Sequence, residues 1–273
     1  RMLSLYDEKS LTVHLEDLVG GALSLYSAAL IKARGGVHVF VAEDRDAAAY
    51  MLNDFYALLD EQCVHFFPTS YKKSILYGKE DAQGLVQRTN TLNAIRRGEA
   101  PYIVVCTYPE ALAERVADAA TITGNSIRIA VGDKADMSQL EQQIVDRGFT
   151  QVDFVYEPGQ YSMRGGILDV FSFAESRPYR IDFFGDTVDS IRLFNISSQL
   201  SSDKVQQAEI IPNLNSTSPE KVSLARFAGE ATYWFYDADY ILRRVNDLRR
   251  RLLSEMEEPV QIDSLMTSRN ILL

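Results

Sequence analysis

Apolar and polar positions along this chain follow a helical period and a strand period in turn, and the alternation of the two sets the first expectations. Residues 20–34 place Leu23, Ala28, Leu30 and Ile31 on one side, with Gly35-Gly36 as a stop, which predicts a helix. Val37-His38-Val39-Phe40-Val41 is a β-branched run that predicts a buried strand. Asp44 stands where an N-cap belongs, and Met51, Leu52, Phe55 and Leu59 follow at helical spacing. Residues 64–67 predict a second strand, closed by Pro68, and residues 81–97 a helix ended by Gly98. Residues 102–106 predict a third strand and residues 109–116 another helix. Short apolar strands between amphipathic helices indicate a parallel sheet covered on both faces.

The texture changes near residue 119. A strand over 127–131 and a helix over 138–147, with Asp136 near its start, precede a long stretch of period-two segments up to residue 211. Glu157-Pro158-Gly159, Arg164-Gly165-Gly166, Arg177-Pro178 and Gly185-Asp186 punctuate it as turns. After a polar stretch at 213–219 the first texture returns: a helix over 222–227, a strand over 232–236 and a long helix over 239–257. The expected fold is therefore α/β. Residues 1–118 and 212–273 form a parallel-sheet, P-loop-like domain, interrupted at 119–211 by a mainly antiparallel α+β domain.

Composition narrows the function classes. The chain has 273 residues, enough for two domains, and 46% of them are hydrophobic. A formal charge of −10 weighs against a duplex-DNA binder, whose affinity rests on a basic surface, and against an anionic membrane. Cys63 and Cys106 form no C-x-x-C pair, which suits a reducing cytoplasm. No apolar run reaches the length of a membrane span, and residues 1–7 do not read as a signal peptide. Arg1 ahead of Met2 hints at a tag remnant, and the abrupt apolar end, Asn270-Ile271-Leu272-Leu273, suggests a piece of a longer protein.

Gly20-Gly21 before a helix invites a phosphate-loop reading. Such a loop needs a lysine and a hydroxyl after its last glycine, to neutralise phosphate and hold magnesium. The segment Val19-Gly20-Gly21-Ala22-Leu23-Ser24-Leu25-Tyr26 has no lysine, and Gly78-Lys79 is followed by Glu80. The strand ending at Cys106 is followed by Thr107 and not by an acidic pair. The expectation is an α/β domain that lacks its nucleotide site, with no catalytic residue, no cofactor and no metal. His14, His38 and His65 have no metal-ligand spacing. His38 and His65 read as satisfied residues of apolar strands, and Cys106 as a small buried hydrophobe.

The informative segment is 165–194. In Tyr179-Arg180-Ile181-Asp182-Phe183-Phe184, alternation puts Tyr179, Ile181 and Phe183 on the core face and Arg180, Asp182 and Phe184 on the other. With Gly185-Asp186 as a two-residue hairpin turn, Thr187, Asp189 and Ile191 fall opposite Phe184, Asp182 and Arg180. The outer surface would then carry Arg180, Asp182, Phe184 and Ile191, joined by Arg164. Arginine and aromatic residues in a polar surround suit a protein-docking surface. A blander reading stands beside it: an outward Phe packed under a loop and an Arg in a solvated ion pair. Arg243-Arg244 and Arg249-Arg250-Arg251 read as a solvated helix face, and Tyr71-Lys72-Lys73 with Tyr77 and Lys79 as a short basic-aromatic cluster.

Two runs carry a family resemblance. Residues 156–171, YEPGQYSMRGGILDVF, and residues 178–186, PYRIDFFGD, are followed by Asp189-Ser190-Ile191-Arg192 and Ile210-Ile211-Pro212. Together they resemble the second domain of the UvrB-like module (domains 1a, 2 and 1b) shared by UvrB and the N-terminus of bacterial transcription-repair coupling factors. The likeness covers residues 154–212; outside it, Phe66-Phe67-Pro68 and Tyr108-Pro109-Glu110-Ala111-Leu112 are the best anchors. The resemblance implies a UvrA-binding surface in the inserted domain, with Arg164, Arg180 and Phe184 at the interface. It also implies that other domains of the full protein bind RNA polymerase, translocate on DNA with ATP, and mask the UvrA site until needed. UvrB carries an intact phosphate loop and this chain does not, which favours the coupling factor. The alternatives are a UvrB-like damaged-DNA helicase subunit and a DNA-binding platform.

Overall fold

The computed structural model describes residues 12–15, 18, 20–70, 81–214, 221–253 and 269–272. Two compact units divide the chain: Arg1–Val116 with Lys221–Leu273, and Ala117–Glu220.

The first unit is built on a six-stranded sheet. Its strands run in the order Thr12–His14, Arg269–Leu272, Thr232–Phe235, Gly36–Val41, Tyr102–Thr107 and Val64–Phe66, and every neighbouring pair is parallel. Strands buried on both faces must be apolar at nearly every position, and Val39 to Val41 and Val104 to Cys106 are all fully buried. The Phe40 ring lies 4.6 Å from Phe55 on the helix Arg45–Leu58 and stacks at 4.8 Å on Trp234. Asp44 caps that helix by accepting the Ala47 N–H. The helix Ala22–Arg34 begins two residues later than the apolar pattern suggests, because Gly20 takes a left-handed φ of +61°. It ends at Gly35, where a Cβ would come within 2.5 Å of the Pro101 carbonyl oxygen.

His38 is a satisfied core residue. Trp234 Nε1–H donates to its Nδ1, and its Nε2–H donates to the Gly35 carbonyl. Burial pushes its pKa down from 6.5 to about 4. His65 departs from the expectation: its buried Nε2 finds no hydrogen-bond partner among the described residues. The arginine-rich helix Ala238–Leu253 is only partly a solvated face, since Arg244 pairs with Glu110 at 3.0 Å and Arg249 reaches the Leu112 carbonyl. The basic-aromatic cluster at 71–79 lies outside the described residues.

The second unit is a six-stranded sheet of a different kind. Ser201–Val205, Thr187–Phe194, Tyr179–Phe184, Ile167–Val170 and Gln160–Arg164 follow one another in antiparallel ladders, and Thr150–Gln151 adds a parallel edge. One face is closed by Leu140 and Ile144 of the helix Met137–Asp146, and by Ile127, Ile129, Ala208 and Ile210 of a two-stranded ladder. These pack with Leu168, Val170, Tyr179, Ile181, Val188 and Ile191. Burying each such Leu, Ile or Val contributes roughly 1.5–3 kcal/mol, so this face is where the unit's stability resides. Asp136 caps the helix through the Ser138 and Gln139 N–H groups.

Candidate docking surface

The opposite face of this antiparallel sheet carries the chemistry. Register places Ser162, Asp169, Arg180, Arg192 and Lys204 in one row across five consecutive strands. A second row holds Arg164, Ile167, Asp182 and Ser190. Alternation therefore does what the strand pattern requires: Tyr179 and Ile181 are buried, while Arg180 and Asp182 face away from that core. Phe184 ends the strand with its ring 83% exposed. Gly185, with φ +59°, turns the chain immediately after it. Gly166 lets the neighbouring hairpin approach, since a Cβ there would meet the Phe183 carbonyl oxygen at 2.9 Å.

Ile191 is not part of this surface. It is 1% exposed and belongs to the core. A bulge is the cause: the pairing runs Phe184 with Thr187 and Phe183 with Val188, then Asp182 with Ser190 and Ile181 with Ile191. Asp189 is the additional residue on the return strand, and one extra residue moves every later side chain to the other face. Arg192, not Ile191, lies opposite Arg180.

The two arginines are held from beneath. Asp169 is 1% exposed, and Arg180 donates to it twice, from Nε at 2.7 Å and Nη2 at 2.8 Å. Arg180 Nη1 donates to the Gln199 carbonyl at 3.1 Å, and its guanidinium lies 4.5 Å from the centre of the Phe194 ring. Hydrogen bonding to Asp169 pushes the Arg180 pKa above its ordinary value. Arg164 Nη2 donates to the same carboxylate at 2.9 Å, and its guanidinium stands 4.9 Å from the Phe154 ring centre. Asp182 accepts from Ser190 Oγ and from Arg192 Nη2.

A small apolar cluster of Val155, Phe171 and Phe194 underlies one part of this face. Gln199 sits beside it with φ 57°, the only non-glycine among the described residues in the left-handed region. Sequence reasoning missed Asp169 and Phe154. Asp169 had a signal: in Ile167-Leu168-Asp169-Val170 it takes the strand face opposite Leu168 and Val170, where an arginine across the ladder could meet it. Phe154 had none, because it lies between named strands and its neighbour Arg164 is ten positions away.

Among the described residues no group of three His, Cys, Asp or Glu side chains could hold a metal ion, and no helix is long and apolar enough to cross a membrane.

Comparison with known proteins bears on the same segment. Residues 127–215 match the UvrB interaction domain family. The chain is 29% identical over 199 residues to the transcription-repair-coupling factor of Bacillus subtilis, a match that covers 72% of this chain and 17% of that protein. The coupling factor of Myxococcus xanthus is 30% identical over 226 residues, covering 78% of this chain and 19% of its own. UvrABC system protein B of Anaplasma marginale is 26% identical over 228 residues, covering 76% of this chain and 33% of its own. The chain thus matches 17% to 19% of the length of these two coupling factors.

Proposed function

We propose that this chain, a UvrB-like module related to the bacterial transcription-repair-coupling factors, docks UvrA on the outer face of its antiparallel sheet and so brings excision repair to a stalled RNA polymerase. The observation that carries this reading is the Phe184 ring, 83% exposed beside Asp182 and the arginines held by Asp169. Water contact with an aromatic side chain of this size is unfavourable by roughly 1.5–3 kcal/mol relative to full burial. Aromatic and arginine anchors are the groups that dominate interface energy. Charge supports the same choice. The chain as a whole carries −10, yet this face has Arg164, Arg180, Arg192 and Lys204 against Asp169 and Asp182. A locally positive patch on an acidic protein favours an acidic partner surface and disfavours like-charged ones.

On this reading the chain itself performs no catalysis and holds no cofactor, because residues 19–26 lack the lysine and the hydroxyl pattern of a phosphate loop. ATP-driven translocation, the contacts to RNA polymerase and DNA, and the masking of the docking face belong to other domains of the longer protein. Its compartment is the cytoplasm. The test is a calorimetric titration of UvrA into the 273-residue chain. Phe184→Ala is expected to weaken binding by about 2 kcal/mol, a factor of roughly 30, without lowering the melting temperature. Equal affinity in wild type and variant overturns the assignment.

A further inference from the structure

In the parallel-sheet unit the short helix Pro109–Ala113 packs on the long helix Ala238–Leu253, and the carboxylates of this region are already committed. Glu110 takes Arg244 at 3.0 Å. Glu114 is buried, accepts the Ser70 N–H and hydroxyl, and stands 3.3 Å from Arg88. Asp247 takes Arg250 at 2.8 Å, and Asp239 lies in the first turn, at the other end of the long helix. Two arginines are left over. Arg249 Nη2 donates to the Leu112 carbonyl and Arg115 Nη1 to the Lys221 carbonyl, each at 3.5 Å, the long limit of a hydrogen bond. Neither meets a carboxylate among the described residues.

Arg249 is partly buried, so water does not simply replace the missing partner. Burial first, and then the neighbouring Arg115 guanidinium, push its pKa below the ordinary value. The charge of Arg249 is also felt at the Tyr233 phenol, which is 0% exposed and whose hydroxyl has no hydrogen-bond partner among the described residues. An unpaired buried hydroxyl is unfavourable, and an uncompensated, partly buried charge more so. Two like charges and one phenol therefore stand together with donors to spare and no anion, in a chain whose formal charge is −10.

We propose that Arg115 and Arg249 form a binding site for a small phosphate-bearing anion, with Tyr233 as the neighbouring donor. One guanidinium fork already saturates a carboxylate, whereas two guanidiniums match the charge and the three terminal oxygens of a phosphate monoester or free phosphate. A nucleic-acid backbone fits less well, because each of its phosphates carries one charge and its affinity draws on a long basic surface. The site is separate from the outer face of the antiparallel sheet, and none of its residues belongs to the degenerate loop at 19–26.

The experiment is thermal unfolding of the full chain in phosphate and in chloride at equal ionic strength. It is followed by fluorescence of Trp234, the single tryptophan and the neighbour of Tyr233 in the same strand. The variants are Arg115→Gln, Arg249→Met and, as a control of equal charge change, Arg250→Gln. Phosphate at about ten times its dissociation constant is expected to raise the wild-type melting temperature by about 3–6 °C. Part of any rise comes from exclusion of phosphate from the protein surface, and all variants share that part. The specific part should be lost in Arg115→Gln and Arg249→Met and kept in Arg250→Gln. In chloride Arg249→Met should melt at or above wild type, since it removes an uncompensated charge and keeps the apolar stem. Adenosine monophosphate in place of phosphate separates the sources: a rise at lower concentration identifies a nucleotide, and an equal or smaller one the free ion. An equal phosphate effect in wild type and both site variants overturns the proposal. So does a fall of more than about 3 °C for Arg249→Met in chloride, which would make the arginine a structural group. An oligonucleotide without terminal phosphate that reproduces the effect, with the same dependence on both arginines, would replace the small anion by a backbone contact.

Discussion

Replacing Asp169 by Asn tests whether the docking face is built on one buried charge. Asp169 is 1% exposed and accepts at 2.7 and 2.8 Å from Arg180 and at 2.9 Å from Arg164. Asn keeps the shape and one acceptor but removes the charge. Hydrogen bonds to charged groups contribute about 1.5–3 kcal/mol net, against about 1 kcal/mol for neutral ones. The Arg164 side chain is 44% exposed and regains water easily, so its share is at most about 0.5–1 kcal/mol. Arg180, at 17%, regains less and carries most of the effect. The expected cost is about 2–3 kcal/mol, below the roughly 3–5 kcal/mol of breaking a fully buried pair. The single tryptophan, Trp234, belongs to the parallel-sheet unit and does not report on this one. Amide hydrogen exchange is the suitable assay, read on Ile167–Val170 and Tyr179–Phe184. Protection should fall there by that amount and stay unchanged in Gly36–Val41 and Tyr102–Thr107. A loss under about 0.5 kcal/mol, or an equal loss in both units, would refute the role given to this carboxylate.

Two further outcomes follow from burial. Ile191→Ala should destabilise the antiparallel unit by about 2–5 kcal/mol, because the side chain is 1% exposed in the core; a cost near that of a surface change, about 0.5 kcal/mol, would return Ile191 to the outer face. His38 has its pKa pushed from 6.5 to about 4 in the folded chain, so the unfolded chain binds more protons between those values. The stability it contributes is present above pH 6.5 and is lost as pH falls toward 4, by about 3 kcal/mol at most. Urea unfolding followed by Trp234 fluorescence should show this loss, His38→Gln should lessen its slope, and an identical slope in the variant would exclude His38 as the cause.

The sequence by itself determined the local facts. Runs such as Val37 to Val41 had to be buried strands, because continuous apolar β-branched residues have no solvated face. Tyr179 and Ile181 had to share a face opposite Arg180, Asp182 and Phe184, because the side-chain period of a strand is two. Exposure of Phe184 follows from that period and from the turn at Gly185-Asp186. What the sequence left open was every choice of partner across space. Insertion of Thr232–Phe235 between Arg269–Leu272 and Gly36–Val41 is settled by packing between segments distant in the chain. The bulge at Asp189 is settled by the fit of the return strand, and it alone sends Ile191 inward and Arg192 outward. The meeting of Arg164 and Arg180 on Asp169 depends on the registers of three strands at once. Periodicity is written in neighbouring residues. Register is an energy difference between whole pairings, and only the assembled sheet decides it.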